Sequence, residues 1–321
     1  MSTALRERLA ARARLNALIR EFFAARQVLE VETPVLSQAG NTDPNIESFV
    51  SEYRGPRAGA APARWLRTSP EFFHKRLLAA GAGDIYELGK VFRQGEFGAR
   101  HNPEFTLLEW YRLGWDERQL ADEVVALLQT AAEAFGRPIK AVKRLSYRHW
   151  FLRDAGVDPW RADRQALLHA LGDVLFSDEG LSRDDLLDLL RTHVLEPRLA
   201  ADEVLVVDAF PPTQAALARL RGAGEEAVAA RFEVYLGRQE LANGYHELTD
   251  AAEQAVRFER DLAVRQAAGK TQPRVDQALL AALARGLPDC AGVALGVDRL
   301  LAWLGASDSI ASTLSFHFGE A

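Results

Sequence analysis

The sequence has little cysteine and no long hydrophobic run. A single cysteine, Cys290, excludes a disulfide framework and a CxxC zinc site, and the seven histidines show no metal-ligand spacing. No run of 18 apolar residues occurs, and the N-terminal segment MSTALRERLAARARLNAL is charged throughout. We therefore expect neither a signal peptide nor a membrane span, and we expect the protein in a reducing cytoplasm.

An excess of basic residues is also missing. The chain has 39 Lys and Arg against 45 Asp and Glu, which gives a net charge of -6. A general nucleic-acid binder usually carries a clear positive excess, so this composition argues against that class. Any functional arginine must therefore be recognised by its position in the sequence.

What the sequence does have is enough material for a large folded core. Its 321 residues are 48% hydrophobic and 26% charged, so folding needs neither disulfides nor a metal. The length allows about two domains or one large domain with an insertion. We predict a single domain over 1–321 with a mostly helical insertion at about 140–230, interrupted by one strand, VLVVDAF. Ser182 and Asp185 in SRDDLLDLL resemble a helix capping box.

Hydrophobic periodicity and turn residues predict the elements around this insertion. Helices are expected over 4–26, 69–80, 117–135, 250–268 and 276–285, and strands over 28–36, 85–93, 106–115 and within 227–248. Ser69 is the expected N-cap and Pro70 the first helical residue of the second helix. Pro34 places the first strand at a sheet edge or an interface.

The segment ELANGYHEL, residues 240–248, contains Asn-Gly between residues suited to strands. This is a strong hairpin signal, and a two-residue turn at Asn243 and Gly244 would place Glu240 opposite Glu247. Opposed like charges are destabilising, and a divalent cation would resolve the conflict. Carboxylates together with substrate phosphates are what Mg²⁺ prefers. The alternative is a pair of solvated carboxylates in another strand register.

A polar loop, QGEFGARHNPEF, separates two predicted strands and is longer than a hairpin needs. Arg93 precedes it, and Arg100, His101 and Asn102 lie near its end. Strand alternation then predicts one face with Phe105, Leu107, Glu109 and Tyr111, and the other with Leu108 and Trp110. Arginines suit phosphate, a flat ring can stack on a purine, and a carboxylate can hold an ammonium group. The alternative is a solvated loop above a core strand.

Two weaker patterns complete the set. In GVALGVDRLLAWLG, glycines end a strand and open a helix whose first turn carries Arg299, an arrangement that suits an anion but is also common in simple packing. In TSPEFFHKRL, Glu71 could hold a substrate or could simply complement the helix dipole.

Together these segments resemble a known family. GKVFRQGEFGARHNPEFTLLEWY resembles motif 2 of the class II aminoacyl-tRNA synthetases, specifically the lysyl branch, GVALGVDRLLAWLG resembles motif 3, and VLEVETPVL resembles motif 1. The resemblance covers nearly the whole chain, and TSPE and ELANGYHEL match in order and spacing. It implies an α+β fold, an antiparallel sheet flanked by helices, and a homodimer formed through motif 1.

The closest resemblance is to the lysyl-synthetase paralogues that attach (R)-β-lysine to a lysine of translation elongation factor P, with ATP as substrate. The chain begins directly at the motif 1 helix, so we expect no anticodon-binding domain and no stable tRNA binding. The rival interpretations are a truncated lysyl-tRNA synthetase-like enzyme acting on tRNA or free lysine, and a catalytically silent regulatory paralogue.

The resemblance also implies roles for individual residues. Arg93 and Arg299 would be catalytic, and Glu240 and Glu247 would bind Mg²⁺. ATP would contact Arg93, Gln94, Gly95, Arg100, His101, Asn102, Phe105, Glu240, Leu241, Gly296 and Arg299. The amino-acid substrate would contact Ser69, Pro70, Glu71, Glu109, Tyr111, Glu247 and Ala294.

Two positions depart from related sequences. Gly95 stands where the family motif usually has glutamate, which removes a carboxylate expected near the adenine amino group unless Glu96 takes its place. Ala294 stands where lysyl-tRNA synthetases usually have glycine, and its methyl group would reshape the amino-acid pocket in favour of a lysine isomer.

Overall fold

A computed structural model describes residues 3–56, 62–174, 177 and 179–321. Its elements, in chain order, are α1 (Thr3–Ala24), β1 (Leu29–Glu30), β2 (Leu36–Ser37), β3 (Val50–Glu52), β4 (Ala63–Leu66), α2 (Glu71–Ala79), β5 (Ile85–Phe92), β6 (Glu104–Leu113), α3 (Glu117–Ala134), β7 (Ala141–Ser146), α4 (Tyr147–Asp154), α5 (Arg164–Leu171), α6 (Arg183–Leu190), β8 (Glu203–Phe210), β9 (Leu220–Arg221), β10 (Val228–Leu236), β11 (Glu240–His246), α7 (Ala251–Ala267), α8 (Gln277–Gly286), β12 (Cys290–Gly296) and α9 (Val297–Leu304). A short π-helix, Arg191–Leu195, continues from α6.

The chain divides into two compact units. The first contains Met1–Trp115 and Leu248–Ala321, and the second contains Asp116–Glu247. The expected insertion at about 140–230 falls inside the second unit, but the organisation as one domain with an insertion stays a prediction.

The first unit is built on strands β1, β5, β6 and β12, in that order. β1 pairs with β5 in parallel, whereas β5 with β6 and β6 with β12 are antiparallel. Helix α1 buries Leu15, Ile19 and Phe23, and the Phe23 ring stacks on Tyr86 at 4.4 Å. On another side of this unit, α2 packs against α8, which packs against α7.

The second unit contains strands β11, β10, β8 and β7, with β9 paired to β10. β7 and β8 are parallel, and the β8, β10 and β11 pairings are antiparallel. Helices α4, α5 and α6 cover a core that includes Tyr147, Trp150, Leu186, Leu190 and Val207. The mainly antiparallel sheet flanked by helices confirms the predicted α+β fold.

Most predicted elements are confirmed, but the single strand predicted over 28–36 is wrong, because this stretch contains two short strands, β1 and β2, that belong to different sheets. Ser182 and Asp185 form the capping box of α6. Pro70 is the N-cap of α2 and not its first helical residue, and Ser69 Oγ accepts from the Glu71 N–H at 3.1 Å. Strand β7 was not predicted because its six residues, AVKRLS, alternate poorly and are mostly charged or exposed.

The predicted hairpin turn at Asn243 and Gly244 is wrong. Both residues lie inside β11, paired with Glu233 and Phe232 of β10. The chain turns instead between β10 and β11 at residues 237–239, where Gly237 has φ +61 and an added Cβ would lie 2.9 Å from the Ala201 carbonyl oxygen. Only glycine fits that turn, so tertiary pairing overrides the local Asn-Gly preference.

Among the described residues, no helix has both the length and the apolar character needed to cross a membrane.

Candidate active site

Arginines gather around the long loop between β5 and β6 in the first unit. The Arg93 guanidinium lies 5.1 Å from the centre of the Phe105 ring, and its Nη1 is 3.7 Å from Glu96 Oε1. Arg299, in the first turn of α9, donates from Nε to the Arg100 carbonyl oxygen at 3.3 Å. The loop therefore brings together Arg93 and Phe105, and separately Arg299 and the backbone of Arg100.

His101 is part of the same arrangement. Arg299 Nη2 lies 2.8 Å from His101 Nε2, and because a guanidinium can only donate, Nε2 must be the acceptor. Desolvation, followed by the positive charge of Arg299, lowers the pKa of His101. The ring is therefore neutral near pH 7 and orients the Arg299 side chain.

Asp298, which the sequence analysis missed, fixes the beginning of α9. Its Oδ2 accepts from the Thr106 N–H of β6 at 2.7 Å, and its Oδ1 pairs with Arg12 of α1. This carboxylate is almost fully buried. Asp298 therefore ties α1 and β6 to the first turn of α9, directly before Arg299, and its position at the start of a helix was the available signal.

Asn102 and Gln94 are held by the backbone around them. Asn102 Nδ2 donates to the Glu104 carbonyl oxygen at 2.6 Å, and its Oδ1 accepts from the Phe318 N–H at 3.0 Å. The Gln94 N–H donates to the Glu47 carbonyl oxygen at 2.8 Å. Both residues therefore fix the loop, and a contact from either of them to ATP stays a prediction.

Gly95, which stands where the family motif usually has glutamate, has a backbone conformation that favours glycine. Gly95 has φ +85, where a glutamate backbone would be strained. The neighbouring carboxylate, Glu96, lies beside Arg93. Whether Glu96 replaces the missing carboxylate near adenine stays a prediction.

The register between β6 and β12 defines the amino-acid side of the site. Ala294 lies directly opposite Glu109, and Gly292 lies opposite Tyr111. Opposed residues of an antiparallel pair project from the same face, with Cβ atoms about 5 Å apart. Gly292 and Ala294 of β12 are small and thus leave space beside Tyr111 and Glu109. Of these two residues, Ala294 alone adds a side chain, a single methyl group, to this face of the sheet.

The two faces of β6 separate as predicted. The Tyr111 hydroxyl donates to Glu109 Oε1 at 3.0 Å, which places both side chains on one face. Trp110 points the other way, with its ring 5.3 Å from that of Phe23 in α1. One face of β6 therefore packs into the hydrophobic core, and the other face lines a buried polar pocket.

Glu71 also belongs to this polar pocket. Its Oε1 lies 2.6 Å from the buried Lys75 Nζ, one helical turn later. Burial raises the pKa of Glu71, Lys75 opposes that shift, and the charge of Glu109 adds to it. The two predicted substrate carboxylates are thus close enough to repel each other, as groups that receive one cationic substrate would be.

Three further residues in this pocket were not identified from the sequence: His74, Glu87 and Arg67. His74 Nε2 lies 3.0 Å from Glu87 Oε2, and Glu87 Oε1 lies 2.6 Å from Arg67 Nη1. The spacing of His74 three residues after Glu71 on one helix was the available signal, because i and i+3 share a helix face.

In the second unit, Glu240 begins β11, and Glu247 directly follows this strand in an isolated bridge with Ala218, so the two do not face each other across the predicted hairpin. Val234 pairs with Ala242 but Tyr235 pairs with Glu240, so Leu241 is an extra, bulged residue. A bulge shifts side-chain alternation by one. Residues seven apart would otherwise face opposite sides, and the bulge brings Glu240 to the face of Asn243, Tyr245 and Glu247.

Arg191 of the π-helix lies beside three carboxylates, of which Glu196 and Glu233 are buried and Glu240 is half-buried. Its Nη1 lies 3.2 Å from Glu196 Oε1, 3.4 Å from Glu233 Oε2 and 3.8 Å from Glu240 Oε2. Arg231 pairs with the other oxygen of Glu233 at 2.5 Å. Burial would raise the pKa of Glu233, but the charges of Arg191 and Arg231 lower it, so the carboxylate stays ionised.

The donor set suits Mg²⁺ only together with a substrate. Among the described residues, no group of three or more His, Cys, Asp or Glu side chains is arranged to hold a metal ion. Mg²⁺ commonly takes one or two carboxylates plus substrate phosphates, and Glu240 and Glu247 on one strand face meet that requirement. The residues present therefore fit a nucleotide-bound Mg²⁺ better than a resident ion.

Comparison with known proteins identifies a family for this chain. A family model described as tRNA synthetases class II (D, K and N) matches residues 1–318. Similar proteins include the elongation factor P (R)-β-lysine ligases of Yersinia enterocolitica, 46% identical over 97% of this chain and 94% of the relative, and of Vibrio cholerae, 46% identical over 100% and 98%. The corresponding ligase of Pasteurella multocida is 45% identical over 98% and 96%.

Proposed function

Because the chain belongs to the class II tRNA synthetases (D, K and N), we propose that it is a ligase that activates (R)-β-lysine with ATP and transfers it to a lysine of elongation factor P. The names of its relatives support both the substrate and the acceptor. The observation that carries the proposal is the register that sets Ala294 opposite Glu109. An acidic, nearly closed site beside a small-residue strand suits a chain that ends in an ammonium group.

In the first step, a carboxylate oxygen of the amino acid attacks the α-phosphorus of ATP, and the bond to pyrophosphate breaks. No general base is needed, since the attacking group is already ionised. Arg93 holds the α-phosphate and Arg100 and Arg299 the outer phosphates, with adenine between Phe105 and Arg299. Positioning and charge neutralisation supply most of the rate enhancement.

The carboxylates Glu240 and Glu247 hold Mg²⁺ in this proposal. The two residues would place the ion where it could supply charge neutralisation at the phosphates. Glu109 and Tyr111 receive the terminal ammonium of the substrate, and Ser69, Pro70, Glu71 and Glu247 line the region of its amine and carboxylate.

In the second step, the ε-amine of the acceptor lysine attacks the acyl carbon of the adenylate. AMP leaves with the bonding electrons, and the amine loses a proton as the amide forms. Neither step oxidises or reduces any group.

We also propose a homodimer formed through motif 1. β1 forms one end of the first unit's sheet, and Leu29 and Leu36 are 56% and 53% exposed. Exposed apolar side chains beside a strand edge suit pairing with a second copy. A dimer mass in sedimentation equilibrium supports this, and a monomer at micromolar concentration contradicts it.

The function is tested by intact mass spectrometry of elongation factor P after incubation with the enzyme. We expect a gain of one lysyl group with (R)-β-lysine, ATP and Mg²⁺, and no gain when any one is omitted. A parallel reaction with tRNA^Lys should remain uncharged, because the net charge of -6 offers little phosphate neutralisation. Acylation of tRNA at a comparable rate would contradict the proposed acceptor.

A further inference from the structure

His74 is a buried histidine with a carboxylate at each ring nitrogen. The residue is 0% exposed, Nε2 lies 3.0 Å from Glu87 Oε2, and Nδ1 lies 3.5 Å from Glu109 Oε1. A neutral imidazole has one N–H and one lone pair, so in that state one nitrogen would point a lone pair at a carboxylate. Within the described ranges of the chain, Nδ1 has no hydrogen-bond partner, so its contact with Glu109 is one of charge, and the positively charged imidazolium is the state that both carboxylates favour.

The two carboxylates differ in how firmly they are held. Glu87 accepts from the Thr33 hydroxyl at 2.7 Å and pairs with Arg67 at 2.6 Å, so it is fixed on its far side. Glu109 accepts from the Tyr111 hydroxyl at 3.0 Å and forms the longer contact with His74. The weakly held side of the ring is therefore the side where the proposed substrate ammonium binds.

The net charge of the groups around His74 also favours loss of its proton when the substrate binds. We define the His74 cluster as three carboxylates and three basic groups, which are Glu71, Glu87, Glu109, Arg67, His74 and Lys75. With His74 protonated, the three positive and three negative charges cancel. A bound ammonium would then leave one buried positive charge in excess, and loss of the His74 proton would restore the balance.

Within the part of the chain that the structure describes, His74 forms ion pairs only with Glu87 and Glu109. Tyr111 of β6 meets it edge-on, with ring centres 5.4 Å apart. Helix α7 contributes Phe258 against Phe72, and the nearest ion pair with α8 joins Asp276 to Arg76, on another side of α2. The charged and titratable groups around the imidazole are thus Glu87, Glu109 and Tyr111, with Arg67 paired to Glu87 and with Glu71 and Lys75 on the helix of His74.

We propose that His74 is a positioning residue whose Nδ1 proton occupies the ammonium site of the empty enzyme and is released when an amino acid with a terminal ammonium binds. After release, Nε2–H still donates to Glu87, and the Nδ1 lone pair accepts from the ammonium beside Glu109. This inference rests on the proposed function, since it needs the substrate ammonium at Glu109.

The pKa of His74 agrees with this exchange. Burial would lower this pKa, but the adjacent carboxylates of Glu109 and Glu87 outweigh burial and raise it. The two carboxylates therefore favour the protonated ring in the empty enzyme, and the proton can leave when the substrate ammonium binds. A substrate that displaces a proton binds more tightly where that proton is already lost. Below the pKa of His74, the dissociation constant of the substrate should therefore fall by up to about tenfold for each unit by which the pH rises.

The experiment is titration calorimetry of the full-length wild-type protein with (R)-β-lysine in two buffers of different ionisation enthalpy, with a non-hydrolysable ATP analogue present. We expect the largest proton release, up to one proton per ligand, at the lowest pH measured and progressively less as the pH rises. The reference ligand is (R)-3-aminohexanoic acid, which keeps the β-amine and lacks the terminal ammonium. It should release no proton, so the difference between the two ligands isolates the exchange at Glu109.

Variants sharpen this measurement. His74→Gln should abolish the difference between the ligands and flatten the pH dependence of binding, while the exposed His169→Gln should leave both as in the wild type. Wild-type enzyme that modifies elongation factor P but shows no ligand-specific proton release would overturn the role of His74 and leave the proposed function standing. Failure to bind any lysine isomer would overturn the function and this inference together, and neither wild-type result depends on a variant that folds.

Discussion

The two units each bury a group of carboxylates, and they neutralise them in different ways. In the His74 cluster of the first unit, one of the three positive charges belongs to an imidazole that can lose its proton. In the second unit, Glu196, Glu233 and Glu240 meet Arg191, and Glu233 also meets Arg231. A guanidinium stays charged at every physiological pH, whereas histidine titrates within that range.

The difference matches what each unit is proposed to bind. A site for a substrate cation gains from a positive charge that can leave when the substrate arrives. A site for Mg²⁺ gains from carboxylates that stay ionised and fixed before the ion and nucleotide bind. The comparison therefore predicts a pH-sensitive first unit and a pH-insensitive second unit.

The largest effect should follow from removing the permanent charge in the second unit. Arg191→Met leaves Glu233 and Glu196 buried beside too little positive charge, and breaking a buried ion pair in this way costs about 3 to 5 kcal/mol of unfolding free energy. Urea denaturation measures the loss, which should be nearly the same at pH 6 and pH 8.

The matched control is Arg161→Met, because Arg161 is 71% exposed and pairs with an exposed Glu225. Its effect should stay within about 0.5 kcal/mol. Equal losses for the two variants would show that Arg191 does not neutralise a buried cluster.

The next effect concerns activity and not stability. Glu240→Gln removes one proposed Mg²⁺ ligand that is only half-buried, so we expect pyrophosphate exchange to fall by roughly a hundredfold or more, worth about 3 kcal/mol, while thermal unfolding changes little. The control, Glu225→Gln, changes an exposed glutamate of the same unit. Normal exchange by the Glu240→Gln enzyme at limiting Mg²⁺ would contradict the metal assignment.

A smaller effect tests shape in the first unit. Ala294→Gly removes the methyl opposite Glu109, and one methyl in a pocket usually discriminates by about 1 to 3 kcal/mol. We expect kcat/KM for α-lysine to rise by about tenfold relative to (R)-β-lysine. Steady-state adenylation of both isomers measures this ratio, and an unchanged ratio with slightly lower stability would mean that Ala294 only packs against β6.

The smallest effect is the pH dependence of stability from His74. Its raised pKa means that the folded protein holds the proton more tightly than the unfolded chain does. This stabilisation is complete below the unfolded value near 6.5 and is lost as the pH rises through the folded value, by at most about 1.4 kcal/mol per pH unit. The difference in unfolding free energy between wild type and His74→Gln should therefore be larger at pH 6 than at pH 8. A difference that is constant or grows with pH would contradict a protonated His74.

The sequence was sufficient where local rules and family motifs decide the outcome. The two faces of β6 follow from alternation, and the capping box of α6 follows from Ser182 and Asp185. It was insufficient where distant segments decide. Asn243 and Gly244 carry a turn signal, but pairing with β10 keeps them in a strand.

The candidate site shows the same limit. The shared face of Glu240 and Glu247 depends on a bulge at Leu241 that no local motif marks. The contact of His74 with Glu87 and Glu109 joins α2, β5 and β6, and only the assembled unit brings these elements together.

The central claim, transfer of (R)-β-lysine to elongation factor P, is tested most directly by one competition. Elongation factor P is incubated with the enzyme, ATP, Mg²⁺ and equal amounts of unlabelled (R)-β-lysine and isotopically heavy α-lysine, and its intact mass is recorded. We expect modification almost entirely with the light isomer. A product that carries mainly heavy α-lysine, or elongation factor P that stays unmodified, would contradict the account.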